Sequence, residues 1–432
     1  MDDMKLLNRE MKKQQLRRQI VPNPEEVHTE KRTAENDDLP PQGFFARIAR
    51  HKLLLIFLLL ILAGIGGSVF YWRNYHQYTE YSISWEADLL AGENEIKAES
   101  SFTGYIDFGT NIVKYTKDGA SYIDSHGKKV WTQPYEMKSP TAVVNGDFIA
   151  IADQQGNSIV ICDRFGCQGT ATTLLPIIKI GVSAKGVAVA ILEDAKSNYL
   201  AWFRKDGEPI DISVKSRLSG DGYPLDLSVS PSGDQVICSY VYMNNGMLDS
   251  KVVFYDFSEI GKNVSAKRIV GGFDEPFSGT LVPRVRFLTD VYSFACSDKG
   301  LSFFSSKNLA SPQLMSQTEI AGEINSLFYS PEYVGVIALT GEGENPYRMQ
   351  IFKADGTQVM NKEFNFSYRH VSISGNQVIL WNEGNFQIYN MMGTKRYDGS
   401  FEDTISHISA GRFSDSYILT SPQIMREMIL QR

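Results

Sequence analysis

YIDSHGKKVW, residues 122–131, decides the fold. An apolar strand enters a polar turn ending at Gly127, and a second strand leaves it toward Trp131. Aromatic and β-branched runs bounded by turn formers read as a hairpin. The unit recurs as VICDRFGCQG (160–169), WFRKDGEPI (202–210), FYDFSEIGKN (254–263), IFKADGTQV (351–359) and IYNMMGTKRY (388–397). Its glycines, Gly127, Gly166, Gly207, Gly261, Gly356 and Gly393, are 39, 41, 54, 95 and 37 residues apart, and the wide step holds a degenerate copy near Ser305. A repeat of about 40–50 residues built from short strands is the spacing of a β-propeller.

A second hairpin precedes each unit, with turns at Asn145-Gly146, Lys185-Gly186, Ser232-Gly233 and Ser374-Gly375. The strands after these turns (148–152, 187–192, 236–241, 334–339, 378–381) are nearly unbroken apolar runs. Strands of that kind are covered on both faces, as in stacked sheets. The chain holds eight units: 103–133, 141–170, 178–212, 225–262, 283–310, 325–360, 369–398 and 406–431. The last has room for three strands, and YTEYSISWE (78–86) is expected to supply the fourth, closing the ring without an exposed edge. The expectation is an all-β, eight-bladed propeller over 78–432. Seven blades is the alternative, because 283–310 is divergent.

Asp124, Gly127 and Trp131 match an Asp, a Gly three on and a Trp closing the next strand. The unit thereby resembles the pyrroloquinoline-quinone-type, WD40-like propeller repeat. The other copies keep the glycine and lose the tryptophan, so the resemblance is to the repeat and not to the enzymes that carry it. The layout as a whole is similar to an uncharacterised family of single-pass membrane β-propeller proteins from Gram-positive anaerobes, a resemblance that implies no assigned activity.

Before the repeats, residues 53–72 read LLLIFLLLILAGIGGSVFYW, with no ionisable group and thirteen Leu, Ile, Phe or Val. As a helix this run would be about 30 Å long, the thickness of a bilayer core. It is too long for a signal-peptide core, and no Ala-x-Ala site comes after it. Phe44, Phe45, Arg47, Arg50 and Lys52 on one side and Tyr71 and Trp72 on the other suit the membrane interfaces. The basic side keeps 1–52 in the cytoplasm and exports the chain beyond the linker 73–77. Residues 4–20 are basic with a thin apolar stripe, which reads as a lipid-surface helix or as a solvated segment. Residues 22–41 have the composition of a disordered linker. The expected location is the plasma membrane, with the propeller outside the cytoplasm. The chain carries +2 up to residue 52 and −9 after residue 72, and an acidic ectodomain argues against nucleic acid as a partner.

In a four-stranded blade, the 1–2 and 3–4 turns share one face. The 2–3 loops and blade-to-blade links share the other. The first class reads as short throughout, while the second has long members at 192–199, 213–224, 243–250, 265–283 and 341–348. Insertions confined to one face mark a binding face. Candidate partner-binding residues are therefore Met243, Asn244 and Asn245; Phe273, Asp274 and Phe277; and Glu342, Glu344 and Tyr347. His76, His126, His370 and His407 stand isolated, no G-x-S-x-G occurs, and Ser125-x-x-Lys128 spans a turn rather than a helix. No catalytic, metal or cofactor residue is assigned. Cys162 and Cys167 flank a turn and can face each other, bridged or reduced; Cys238 and Cys296 read as core. The functional expectation is a scaffold for protein binding or assembly in the cell envelope. The rival is a channel-mouth enzyme or small-ligand sensor, which a cluster of inward carboxylates or histidines would favour.

Overall fold

The computed structural model describes residues 52–89, 102–341 and 343–431. It divides into Met1–Ser68 and Val69–Arg432. Helix α1 (Lys52–Tyr75) holds the apolar run, and its described side chains, 56–71 and Tyr75, are all exposed. Among the described residues no helix is long and apolar enough to cross a membrane. Lys52 and Trp72 lie in α1, where Tyr71 stacks on Tyr75 with centroids 5.4 Å apart. Phe44, Phe45, Arg47 and Arg50 lie outside the described residues.

The second unit is a propeller of eight four-stranded antiparallel sheets. Its first strands are Thr103–Phe108, Pro140–Asn145, Ile177–Val182, Tyr223–Val229, Arg284–Phe287, Glu323–Tyr329, His370–Ser374 and His407–Ala410. First strands of neighbouring blades pack against one another and line the centre. The divergent region is a regular fifth blade, Arg284–Phe287, Tyr292–Cys296, Gly300–Ser305 and Gln313–Glu319, so the seven-bladed alternative fails. Strand β1 (Glu80–Asp88) pairs with the last strand, Ile424–Gln431, from Glu80↔Gln431 to Asp88↔Ile424, and completes blade 8 as expected.

Sequence chemistry accounts for the repeat. Asp124 Oδ1 accepts from the N–H groups of His126 and Lys128, both at 2.9 Å, and this Asx turn leaves Gly127 at φ +79. A Cβ there would also meet the Cβ of Ala87 in β1 at 2.3 Å. Trp131 Nε1 donates to the Asp163 carbonyl at 3.1 Å, tying blade 1 to blade 2. Apolar side chains fill the spaces between blades; between blades 4 and 5, Ile237, Phe254, Phe277 and Phe304 are all buried. Each such side chain contributes about 1.5–3 kcal/mol by leaving water.

The loop classes need correction. The 3–4 connection of blade 4 is long, because Asp256 and Ser258 start a short helix, α2 (Glu259–Val264), in which Gly261 is helical rather than a turn glycine. The expected loop 265–283 is cut in two by the fourth strand Ile269–Phe273, so its first residues belong to the opposite face. Segments 192–199 and 243–250 are tight hairpins: their strands run on to Asp194↔Ser197 and Asn244↔Met247.

Cys162 and Cys167 are register partners, and all four cysteines are free thiols. Burial pushes the thiols of Cys162 and Cys238 up, and that of Cys296 to about 12, whereas Cys167 is exposed. Only thiolate reacts with an alkylating agent. Iodoacetamide at pH 8 should label native protein once, at Cys167, and denatured protein four times, as read by peptide mass spectrometry.

Candidate functional site

Among the described residues, the face formed by 2–3 turns and inter-blade links, here the link face, is most elaborated over blades 3 to 5. Blade 4 pairs Gln235–Asn244 with Met247–Asp256 around Asn245 (φ 50) and Gly246 (φ 83), the two positive dihedrals of a type I′ turn. Its first strand begins at Tyr223, opposite Val241. The hairpin therefore continues three residues further, about 10 Å at strand rise. The extension presents Met243, Met247 and Leu248, exposed by 64%, 66% and 57%. At its base Asp249 accepts from Asn244 Nδ2 at 2.8 Å and from the Gly279 N–H at 2.7 Å. These bonds hold its carboxyl below the usual range and fasten the hairpin to the link 274–283. On the flanking links Leu218 and Leu281 are each 42% exposed. Exposed apolar side chains thus sit on consecutive connections of one face.

Behind the hairpin, the inner strands of the same blades carry charge. Asp226 of blade 4 is buried, and its Oδ2 accepts from the Val285 N–H at 3.0 Å and from Arg286 Nη1 at 3.1 Å. Arg286 also donates to the carbonyls of Leu227 and Val285, each at 2.9 Å, and through Nε to the Tyr329 hydroxyl at 2.8 Å. Arg284, half exposed, reaches Asp226 only at 3.9 Å. Lys179 on the first strand of blade 3 is partly buried and makes no hydrogen bond or ion pair among the described residues. Desolvation first, then repulsion from Arg284, holds its ammonium below the usual lysine range.

A different chemistry lines blades 7, 8 and 1. His370 and His407 open their first strands at the link face. His407 Nε2 lies 2.7 Å from Asp107 Oδ1, and its ring stacks with Tyr105 at 6.4 Å. Trp381 stands edge-on to His407 and stacked with His370, with a buried indole N–H that has no partner among the described residues. Burial, then Arg369 and His407, pushes the His370 imidazole below its usual pKa.

The structure disperses the sequence candidates. Met243, Asn244 and Asn245 lie on the exposed hairpin. Phe277 is 1% exposed and belongs to the core between blades 4 and 5, because the 3-10 turn Glu275–Phe277 folds it inward. Phe273 packs on Phe304 and Phe254 at 5.0 and 5.9 Å, and Asp274 caps that turn by accepting from the Glu275 N–H. Tyr347 stacks on Phe364 at 5.3 Å, so its ring is a packing element. Glu344 is exposed, and Glu342 lies outside the described residues. The sequence reading missed Met247, Leu248 and the charged set Lys179, Asp226, Arg284 and Arg286. A signal for the charged set existed: Lys179 in IIKIGV and Asp226 in YPLDLSV are single charges interrupting apolar inner strands.

A family model matches residues 74–430, the whole propeller. The chain belongs to a family of unknown function, DUF5711. No curated protein matches it. Among solved structures, the Dos1 propeller is similar at 10% identity and TM-score 0.51, over 82% of this chain and 95% of that one. BamB from Moraxella catarrhalis is similar at 10% identity and TM-score 0.47, over 81% and 100%. The WD40 domain of Neurospora crassa Pan2 is similar at 12% identity and TM-score 0.42, over 68% and 90%. At such identities the likeness is one of fold.

Proposed function

We propose that this protein is a single-pass membrane protein whose propeller, outside the cytoplasm, binds a protein partner through the link face of blades 3 to 5 and serves as an assembly scaffold in the cell envelope. The observation that carries the reading is the apolar hairpin tip, Met243, Met247 and Leu248, flanked by Leu218 and Leu281. Exposed apolar patches on soluble faces mark interaction sites, and methionine suits surfaces that adapt to a partner. The apolar run 53–72 and the basic residues before it support the anchor and its orientation. Strand β1 takes the fourth place in blade 8, so it starts on the turn face, with four residues between it and the end of α1. In the proposed arrangement the link face is the one away from the bilayer. Charge agrees: turn-face connections hold ten basic and ten acidic residues, described link-face connections five and ten. The more acidic face is the one kept from anionic lipid.

Photo-crosslinking in native membranes tests both parts. A photoreactive side chain at position 247 should give discrete protein adducts. One at Phe165 or Phe413, which are exposed on turn-face tips, should give lipid adducts. Recovery of only lipid or glycan from position 247 would overturn the scaffold reading. A second reading, a channel-mouth catalytic or sensing site, is favoured by the His407–Asp107 pair beside Tyr105.

A further inference from the structure

Three cations meet one carboxylate at the inner strands of blades 3 to 5. Asp226 is committed: its Oδ2 serves the Val285 N–H and Arg286, and Arg286 is further tied to two carbonyls and a tyrosine hydroxyl. Arg284, at 3.9 Å from Asp226, has no direct hydrogen bond to it, and Lys179 has no partner among the described residues. The charges acting on Lys179 are Arg284, Asp226 and Arg286, two repulsive and one attractive. Partly buried like charges destabilise one another unless an anion joins them. Both of these cations, which share Asp226 with Arg286, lie on strands that open at the link face, Arg284 as the first residue of its strand and Lys179 as the third. They form a positive island within a face whose connections are otherwise acidic.

We infer that Lys179 and Arg284 form a carboxylate-binding site, and that its ligand is an acidic peptide segment whose apolar residues lie against Met247 and Leu248. The site rests on the scaffold reading and gives it a chemistry: the partner segment carries glutamate or aspartate beside aliphatic side chains. Guanidinium and ammonium groups make their strongest hydrogen bonds to carboxylates. The hairpin tip of blade 4, on the same face, supplies an apolar contact that a free small anion cannot use.

The test titrates full-length protein in detergent micelles with a fluorescent decapeptide of alternating glutamate and leucine, and with its glutamine counterpart. The glutamate peptide should bind about tenfold or more tightly, the range of a close charge pair. Lys179→Gln with Arg284→Gln should bring its affinity down to that of the glutamine peptide. Met247→Ser with Leu248→Ser should weaken both peptides alike. Equal binding of the two peptides, or undiminished binding by the double glutamine variant, overturns the site. Inorganic phosphate that binds wild type but not that variant and displaces the glutamate peptide moves the ligand to a free anion and overturns the peptide assignment. Lys179→Gln alone, a partly exposed side chain with no partner to lose, repeats the comparison if the double variant does not fold. Crosslinking from position 247 that survives in the double glutamine variant removes this site while leaving the scaffold reading intact.

Discussion

Replacing Asp226 with alanine should destabilise the propeller by about 3–5 kcal/mol, the cost of removing one partner from a buried ion pair. That is a large share of the about 5–15 kcal/mol by which a domain is folded. The carboxylate is 2% exposed and lies among Lys179, Arg284 and Arg286. Without it the Val285 N–H and Arg286 lose their acceptor, and three cations repel across a partly dry space. Asp226→Asn keeps an acceptor for Val285 and loses the charge, so its effect should be intermediate. Lys179→Gln should recover part of the loss in the Asp226→Ala background, because the two sites are coupled and their effects do not add. Arg369→Ala gives the reference: it breaks the pair with Glu383, whose partners are 66% and 71% exposed, and should cost about 0–1 kcal/mol. Urea midpoints from tryptophan fluorescence order the series. Equal midpoints for Asp226→Ala and Arg369→Ala would refute the buried network.

The fold is legible because blades 1, 2, 3, 6 and 7 repeat one local rule. An Asx turn with a left-handed glycine, as at Asp124 and Gly127, sits between strands whose apolar runs mark them as doubly covered. Turn chemistry is local, so one sequence shows it. The same locality explains the misreadings. Segment 243–250 reads as a loop because Asn244-Asn245-Gly246 breaks the apolar run, yet the type I′ turn at Asn245-Gly246 lets the ladder run through it. Phe273 and Phe277 read as exposed because acids and glycines surround them, and only the neighbouring blade, through Phe304, shows where they pack. The charged set is harder to see. Lys179, Asp226 and Arg284 are separated by 47 and 58 residues, and a propeller brings such positions together by ring geometry, which no local pattern encodes. The apolar tip falls between these cases: Met243 is readable as part of an insertion, while Met247 and Leu248 read only as the far side of the same loop.

The other large effect concerns the strand that closes the ring. A chain beginning at residue 76 keeps β1 and should unfold cooperatively as a monomer. A chain beginning at residue 90 should lose most of its stability and self-associate. Strand β1 gives blade 8 its fourth member through register pairs from Glu80↔Gln431 to Asp88↔Ile424. It also seals the seam with blade 1. Leu89 is buried with Ile112, Ile123, Ile418 and Met425, with Trp85 packed alongside, and Tyr81 covers the core under blade 7. At about 1.5–3 kcal/mol for each large apolar side chain removed from water, losing Tyr81, Trp85 and Leu89 costs several kcal/mol before any ladder bond is counted. Arg426 would lose Glu86 at 2.6 Å while keeping Asp403, so electrostatics adds little. The decisive consequence is topological, because Ile424–Gln431 becomes an uncovered edge carrying Met425, Met428 and Leu430, and such edges pair with other chains. Differential scanning calorimetry and light scattering on the two chains give the answer. Matching transitions and matching masses would mean that the ring closes without its first strand.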